Sequence, residues 1–337
     1  MHAIRFHEHG GPDVLRYEEA PDPGVGPGEA LVRVRACALN HLDLWQRRGL
    51  QRVTIPLPHI SGSDVAGDVV GGDAEVGLRV LLQPGLSCGR CAACLAGRDN
   101  ECPRYDILGY RTDGGYAQFV RVPVQNLVPI PPAIGYVEAA AFPLTFVTAW
   151  HMLVTRAQVR PGDDVLVLAA GSGVGQAAIQ VAALHGARVL ATGGSPDKLE
   201  QARRLGAAEV IDHHAQNIAA EVKRLTNRRG VDIVVEHVGQ ATWDSSLRSL
   251  APGGRLVTCG ATSGPEGIID LRFLFSRQLS LLGSYMGTKG ELVTAARFFF
   301  AGRLKPVVDR TFPLADAADA QRHLEEARHF GKIVLEC

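Results

Sequence analysis

Asp164-Val165-Leu166-Val167-Leu168-Ala169-Ala170-Gly171-Ser172-Gly173-Val174-Gly175 decides the fold of this chain. After the opening aspartate the run is apolar without a break, which suits a strand covered on both faces. Small residues then make a turn, and Val174, Ala178, Val181 and Ala182 fall on one face of a following helix. Small residues let the backbone approach a pyrophosphate, and the start of the helix offers free N–H groups to it. The string is not a full G-x-G-x-x-G, so the strand–turn–helix context carries the dinucleotide reading. Ser172, Gly173 and Val174 are the expected phosphate-side residues.

Downstream, the pattern repeats. Arg188-Val189-Leu190-Ala191-Thr192 reads as a strand, with Pro196 opening a helix over 197–205. Further apolar strands are expected at 231–235, 255–258 and 279–283. About six strands alternating with helices predict a doubly wound parallel sheet. Upstream, 136–154 is apolar, broken by Pro143, and reads as helices. The first 130 residues are rich in Gly and Pro, with alternating runs at 30–36 and 115–122 that read as half-buried strands. The last fifty hold a helix with Phe298, Phe299 and Phe300, another helix, and a strand at 332–335. The division expected is 1–144 as a β-rich domain, 145–283 as the dinucleotide-binding domain, and 284–337 returning to the first.

Bulk properties narrow the function. The 337 residues suit two domains. Basic and acidic residues balance at 35 each with no run of one sign, so neither a nucleic-acid nor a membrane-surface partner has electrostatic support. No segment reaches the roughly 20 apolar residues of a membrane span, and Met1 to Glu8 lacks the apolar run of a signal peptide. The expectation is a soluble, cytoplasmic protein with reduced thiols. Four of the seven cysteines then stand out by their spacing: Cys88-x2-Cys91-x2-Cys94-x7-Cys102. Four thiolates on one glycine-containing loop suit a closed, tetrahedral, structural Zn²⁺.

Where the second strand of the nucleotide domain ends, an NAD enzyme usually places an acid for the ribose 2′-hydroxyl. Here Gly193 and Gly194 stand there, and Asp197 lies past the turn. Ser195, Lys198 and His213 could instead meet a 2′-phosphate, which favours NADP(H) over NAD(H).

The order of cysteine loop and strand–turn–helix resembles the medium-chain dehydrogenase/reductase superfamily, of the zinc-type alcohol dehydrogenase and quinone oxidoreductase kind. Asn40-His41-Leu42-Asp43, Gly62-Ser63-Asp64-Val65-Ala66-Gly67, Thr145-Phe146-Val147-Thr148-Ala149-Trp150 and Gly331-Lys332-Ile333-Val334-Leu335 carry the likeness across the whole chain. The resemblance implies a GroES-like β domain, a Rossmann domain, a reaction cleft between them, and a homodimer or homotetramer. It also implies nicotinamide contacts from Thr148, Val238, Cys259, Gly260, Leu282, Gly283 and Lys332, with Cys259 reading equally as a small buried hydrophobe. Zinc alcohol dehydrogenases read C-H-x-D and G-H-E where this chain has Asn40-His41-Leu42-Asp43 and Gly62-Ser63-Asp64, and their third ligand falls on Leu144. Asn40, Ser63 and Leu144 are poor zinc ligands, so the resemblance implies the quinone oxidoreductase branch, without catalytic zinc. The stretch 69–77 is shorter than the family's.

The catalytic candidates are therefore Asn40 and His41, with Asp64 close by in the pattern. An Asn40 amide could stabilise an oxyanion and His41 relay a proton. Asn40 also reads as a helix cap, and Asp64 as a buried acid paired with an arginine or histidine. Weak donors suit an activated acceptor, so the expected activity is NADPH-dependent reduction of a quinone, enone or other activated carbonyl. Two alternatives stand beside it. One is a zinc-dependent alcohol dehydrogenase using Cys37, His41, His59 and Asp64. The other is a low-turnover, coenzyme-binding sensor or structural protein. Segments 45–52 and 273–285 would wall the substrate pocket.

Overall fold

Alternating apolar residues at the start of the chain build antiparallel sheet. β1 (His2–Arg5) and β2 (Arg16–Glu19) pair as a ribbon. β3 (Glu29–Ala38), α1 (His41–Arg48), β4 (Asp64–Gly72) and β5 (Arg79–Leu82) follow, and the short 69–77 segment closes a tight β4–β5 hairpin. β6 (Gly85–Leu86) and β7 (Asp106–Ile107) pair around the cysteine loop, which contains α2 (Ala92–Leu95). β8 (Phe119–Pro123), β9 (Leu127–Pro129), α3 (Tyr136–Ala140) and α4 (Pro143–Trp150) come next. Pro143 sits at the first helical position, where its missing N–H costs nothing, so it starts α4 rather than breaking it.

Then strands and helices alternate: β10 (Asp164–Val167), α5 (Gly173–Leu184), β11 (Arg188–Gly193), α6 (Pro196–Arg204), β12 (Ala207–Asp212), α7 (Ile218–Leu225), β13 (Val231–Glu236), α8 (Trp243–Ser249), β14 (Leu250–Thr258), α9 (Leu271–Ser276) and β15 (Ser280–Gly283). The chain ends with α10 (Lys289–Phe300), β16 (Val308–Pro313), α11 (Ala317–Glu325) and β17 (Lys332–Glu336).

The computed structural model describes residues 1–50 and 53–337 and forms two units, Met1–Leu144 with Thr288–Cys337, and Thr145–Gly287. In the first unit β16-β17-β3-β4-β5-β9 form one sheet, with β8 also on β3. Its core packs Val32, Val34, Val65, Val80, Tyr116 and Ile333. β17 runs antiparallel to β3, so the last strand delivers Lys332 beside the end of β3 and the start of α1.

The second unit is a six-stranded parallel sheet in the order β12-β11-β10-β13-β14-β15. The chain starts at the centre, runs outward through β11 and β12, then returns to build the other half. The carboxyl ends of β10 and β13 therefore flank the point where the order reverses, and such points are where doubly wound sheets hold ligands. The second unit is thus a doubly wound, Rossmann-like sheet, and the first is a β-rich domain. The expectation of uniformly apolar strands holds for the centre and fails at the edges. β12 carries Glu209, and β15 is only half-buried, because an edge strand has one neighbour and less cover. Among the described residues, no helix is long and apolar enough to cross a membrane.

Candidate active site, coenzyme turn and metal loop

Three residues from distant parts of the first unit meet below its surface. Asn40 caps α1, Asp64 opens β4, and Lys332 opens β17. The Lys332 ammonium donates to Asn40 Oδ1 at 2.6 Å, to the Leu39 carbonyl at 2.6 Å and to Asp64 Oδ2 at 3.0 Å. Asn40 Nδ2 donates to Asp64 Oδ2 at 3.0 Å. The lysine and the aspartate are 2% and 0% exposed, so the ion pair is desolvated and each charge depends on the other. Asp64 Oδ1 also accepts from the Leu144 backbone N–H at 2.7 Å.

This arrangement fixes which way the Asn40 amide faces. A lysine only donates and a carboxylate only accepts. The amide oxygen must therefore face Lys332 and the nitrogen Asp64, which leaves one N–H of Nδ2 unassigned. The ammonium on its oxygen also polarises the amide, making that remaining N–H a stronger donor. The sequence expectation placed the Lys332 side chain against a nicotinamide and paired Asp64 with arginine or histidine. The structure pairs Asp64 with Lys332 instead of an arginine or histidine, because β17 aligns with β3 and points the lysine inward.

α1 is held from below. Asp43 Oδ2 accepts from the Asn40 backbone N–H at 2.8 Å and from the Tyr116 hydroxyl at 2.9 Å. Burial raises the Asp43 carboxyl to about 6, although both hydrogen bonds and Lys332 oppose the rise. Burial likewise pushes the Tyr116 phenol far up, so it stays a donor. Neither residue was singled out from sequence, although Asp43 stands in the Asn40-His41-Leu42-Asp43 string. His41 begins α1, half-buried, its ring centroid 6.3 Å from that of Trp45. Of the segment 45–52, the residues to Arg48 finish α1, and Gln51 and Arg52 lie outside the described residues.

In the second unit, the coenzyme candidates gather at the carboxyl ends of the strands. Ser172 caps α5, its Oγ accepting from the Gly175 N–H at 2.9 Å. A Cβ at Gly175 would stand 2.2 Å from the Ala169 carbonyl oxygen, so only glycine permits the turn. Gly173 and Val174 start α5, leaving its first N–H groups open to an anion. Across the switch point, His237 follows β13, its Nε2 3.0 Å from the Leu168 carbonyl and 3.5 Å from Ser172 Oγ. Burial holds this imidazole below its ordinary range, against the pull of Glu236. Sequence reading missed His237; its place just past a central strand was the available signal.

Val238 comes next, its N–H held by Glu236 at 2.6 Å. Cys259 and Gly260 follow β14, while Leu282 and Gly283 end β15. The Cys259 thiol is pushed up to about 12 by burial and by Glu236, so it is a small neutral side chain rather than a nucleophile. Thr148 on α4 is buried, and its hydroxyl has no hydrogen-bond partner. An orphaned hydroxyl of this kind fits a missing ligand. At the end of β11, Gly193 and Gly194 lead to Ser195, whose Oγ caps α6 by accepting from the Lys198 N–H at 3.4 Å. His213 and His214 follow β12, the strand beside β11.

The four cysteines converge. Their sulfurs lie within 4.8 Å of one another, with Cys88–Cys94 at 3.9 Å and Cys91–Cys94 at 3.5 Å. Tetrahedral zinc with Zn–S near 2.3 Å sets ligand sulfurs about 3.8 Å apart, so the loop fits that ion. The Cys88 and Arg104 backbone N–H groups both point at Cys102 Sγ, at 3.5 and 3.4 Å. Asp99, within the loop, accepts from the Lys289 N–H at 3.1 Å and ties the lobe to the start of α10.

Comparison with known proteins agrees with this geometry. Residues 26–132 match the alcohol dehydrogenase GroES-like domain family, and residues 173–301 match the zinc-binding dehydrogenase family. A quinone oxidoreductase of Pseudomonas aeruginosa is 33% identical, the alignment covering 98% of each chain. The chain belongs to the medium-chain dehydrogenase/reductase superfamily. Within that superfamily it is also similar to a crotonyl-CoA reductase of Streptomyces collinus, 30% identical over 96% of this chain and 81% of that one. A solved structure of an NAD-dependent alcohol dehydrogenase is 49% identical, covers 100% of both chains and superposes with a TM-score of 0.97. As a superfamily member the protein is an NAD(P)-dependent oxidoreductase.

Membership sharpens the reading of the first unit. At the three positions that the sequence resemblance equates with zinc ligands, this chain has the Asn40 amide, the Ser63 hydroxyl and the Leu144 hydrocarbon. The amide oxygen already faces an ammonium, and a divalent cation there would meet that charge at close range. Cys37 is wholly buried in the sheet core, His59 Nε2 bonds the Gly109 carbonyl at 3.0 Å, and Asp64 serves Lys332. Among the described residues, the Cys88–Cys91–Cys94–Cys102 cluster is the one group of three or more histidine, cysteine or acidic ligands.

Proposed function

We propose that the protein reduces a quinone, enone or other activated carbonyl with NADPH, without catalytic zinc, and that Cys88, Cys91, Cys94 and Cys102 hold one structural Zn²⁺. The carrying observation is the Asn40 amide, clamped by Lys332 and Asp64 so that one polarised N–H remains to give. Bound coenzyme would supply the hydride. Asn40 would donate its remaining N–H to the substrate oxygen as negative charge builds there. A single well-placed donor of this kind is worth about 10²–10³ in rate. That is modest beside a Lewis-acidic metal, so it suits an acceptor that is already activated. His41 would pass a proton to the reduced product. Lys332 and Asp64 touch neither reactant; they position Asn40.

Ser172, Gly173, Val174 and His237 would hold the pyrophosphate. Ser195, Lys198 and His213 at the ends of β11 and β12 favour the 2′-phosphate of NADP(H). The nicotinamide half would fall to Thr148, Val238, Cys259, Gly260, Leu282 and Gly283. The reduced thiols of the metal loop suit the cytoplasm, and a homodimer or homotetramer is the assembly expected.

The test is metal analysis of the pure protein followed by an acceptor screen with both coenzymes. About one zinc per chain, with chelator-resistant NADPH oxidation by quinones or enones, supports the proposal. Two zinc ions and fast, chelator-sensitive alcohol oxidation would overturn it in favour of a zinc dehydrogenase. Tight coenzyme binding with no acceptor reduced would point to a sensor.

A further inference from the structure

The strand ends that favour NADP(H) contain a histidine that the proposed function does not use. Gly193 on β11 pairs with Asp212 on β12, and the turn after β12 sets His213 and His214 side by side. Their ring centroids are 4.5 Å apart at 66°. Both rings reach over Gly194. A Cβ there would stand 2.8 Å from His214 Nε2 and 3.0 Å from His213 Nε2. The two ring nitrogens thus converge on the space that an acidic side chain occupies in an NAD-selective site. The Asp212 carboxylate is turned to backbone, accepting from His214 N–H at 2.9 Å and Ala215 N–H at 3.4 Å.

We infer that His213 and His214 together seat the adenosine 2′-phosphate, so that coenzyme choice follows pH, with NADP(H) gaining on NAD(H) as the medium turns acidic. This rests on the reading that Ala169 to Gly175 holds a dinucleotide. A neutral imidazole can donate only one N–H, whereas an imidazolium donates two and carries charge. A dianionic phosphate bound between two imidazoles draws protons onto them. Without it, desolvation first, then His214 and Lys198, keep the His213 imidazole below its ordinary value, with Asp212 pulling the other way. Binding the 2′-phosphate therefore takes up protons, and affinity must rise as pH falls. The rise ends near pH 6, where the phosphate itself begins to protonate. NAD(H), with a hydroxyl in that place, gains nothing from the same protons.

The test is equilibrium fluorescence titration of NADPH and NADH from about pH 8 to about pH 6, across the histidine range. Adenosine 2′,5′-bisphosphate and 5′-AMP serve as fragments without nicotinamide. The expected result is that NADPH and the bisphosphate tighten by about tenfold or more, while NADH and 5′-AMP hold nearly level; one proton taken up corresponds to tenfold per pH unit. His213→Gln and His214→Gln, each confirmed folded by its thermal melt, should flatten the NADPH profile. A pH-independent NADPH/NADH ratio, or a profile unchanged in both variants, overturns the inference while leaving the coenzyme reading intact. If neither dinucleotide binds at any pH, the coenzyme reading falls and the inference with it.

Discussion

The cysteine lobe and the Asn40–Asp64–Lys332 cluster lie in one unit and solve the same electrostatic problem in opposite ways. In the lobe, four sulfurs from one short loop stand within 4.8 Å, a spacing that fits a tetrahedral metal ion, with the Arg104 side chain hydrogen-bonded to Cys88. In the cluster, polar groups from three distant segments converge, and the cation is already present as Lys332. The lobe gathers four thiols that can become thiolates, whereas the cluster offers one carboxylate and two neutral oxygens, all of them already serving Lys332. A proton-carrying cation of this kind donates fixed hydrogen bonds and leaves no open coordination position, which is why the cluster suits positioning rather than Lewis-acid chemistry.

The comparison can be broken most sharply at the lobe. Cys102→Ser should reduce bound zinc from about one per chain to essentially none by metal analysis, because the closed site needs four thiolates. The residues around it should then lose amide-exchange protection. Retention of full metal would place the ion elsewhere. Lys332→Met strikes the other site, leaving Asp64 as an unpaired buried charge. It should cost about 3–5 kcal/mol in urea unfolding. Adding Asp64→Asn should restore much of that stability without restoring the rate. If the single variant is as stable as the parent, the ammonium is not the charge that holds the cluster. Asn40→Ala should lower kcat by about 10²–10³ while KM changes little, since its donor acts on developing charge. An equal fall in kcat/KM confined to KM would reassign it to ground-state binding.

The smallest effect concerns Asp43. Its carboxyl rises from the ordinary range to about 6 on folding, so between about pH 4 and pH 6 the folded protein binds more protons than the unfolded chain. This group therefore favours the fold at low pH and withdraws that support as pH climbs through 6, by at most about 3 kcal/mol. Asp43→Asn, which keeps an acceptor for Asn40 and Tyr116, should remove that slope from a pH series of urea melts. A slope that persists in the variant would assign it to another group.

What the sequence disclosed and what it withheld follow the distance between partners. Cys88 to Cys102 and Ala169 to Gly175 are local, so spacing and texture exposed a metal loop and a strand–turn–helix directly. The order of the central strands was legible because each is buried on both faces, whereas β12 hid its identity behind Glu209 at a half-covered edge. The cluster was only half legible. Asn40 and Asp64 were found as candidates, but their partner lies 292 residues beyond Asn40 and becomes visible only when β17 is laid against β3. His214 and His237 were missed for a similar reason: neither belongs to a spaced motif, and each gains meaning from the strand beside it.

The lateness of Lys332 has a bearing on biosynthesis. Asn40 and Asp64 leave the ribosome hundreds of residues before their counter-charge is made, so during synthesis the Asp64 carboxylate cannot be sealed from water without leaving a bare anion. Translation must therefore reach Lys332 before the Asp64 carboxylate can be enclosed together with its counter-charge.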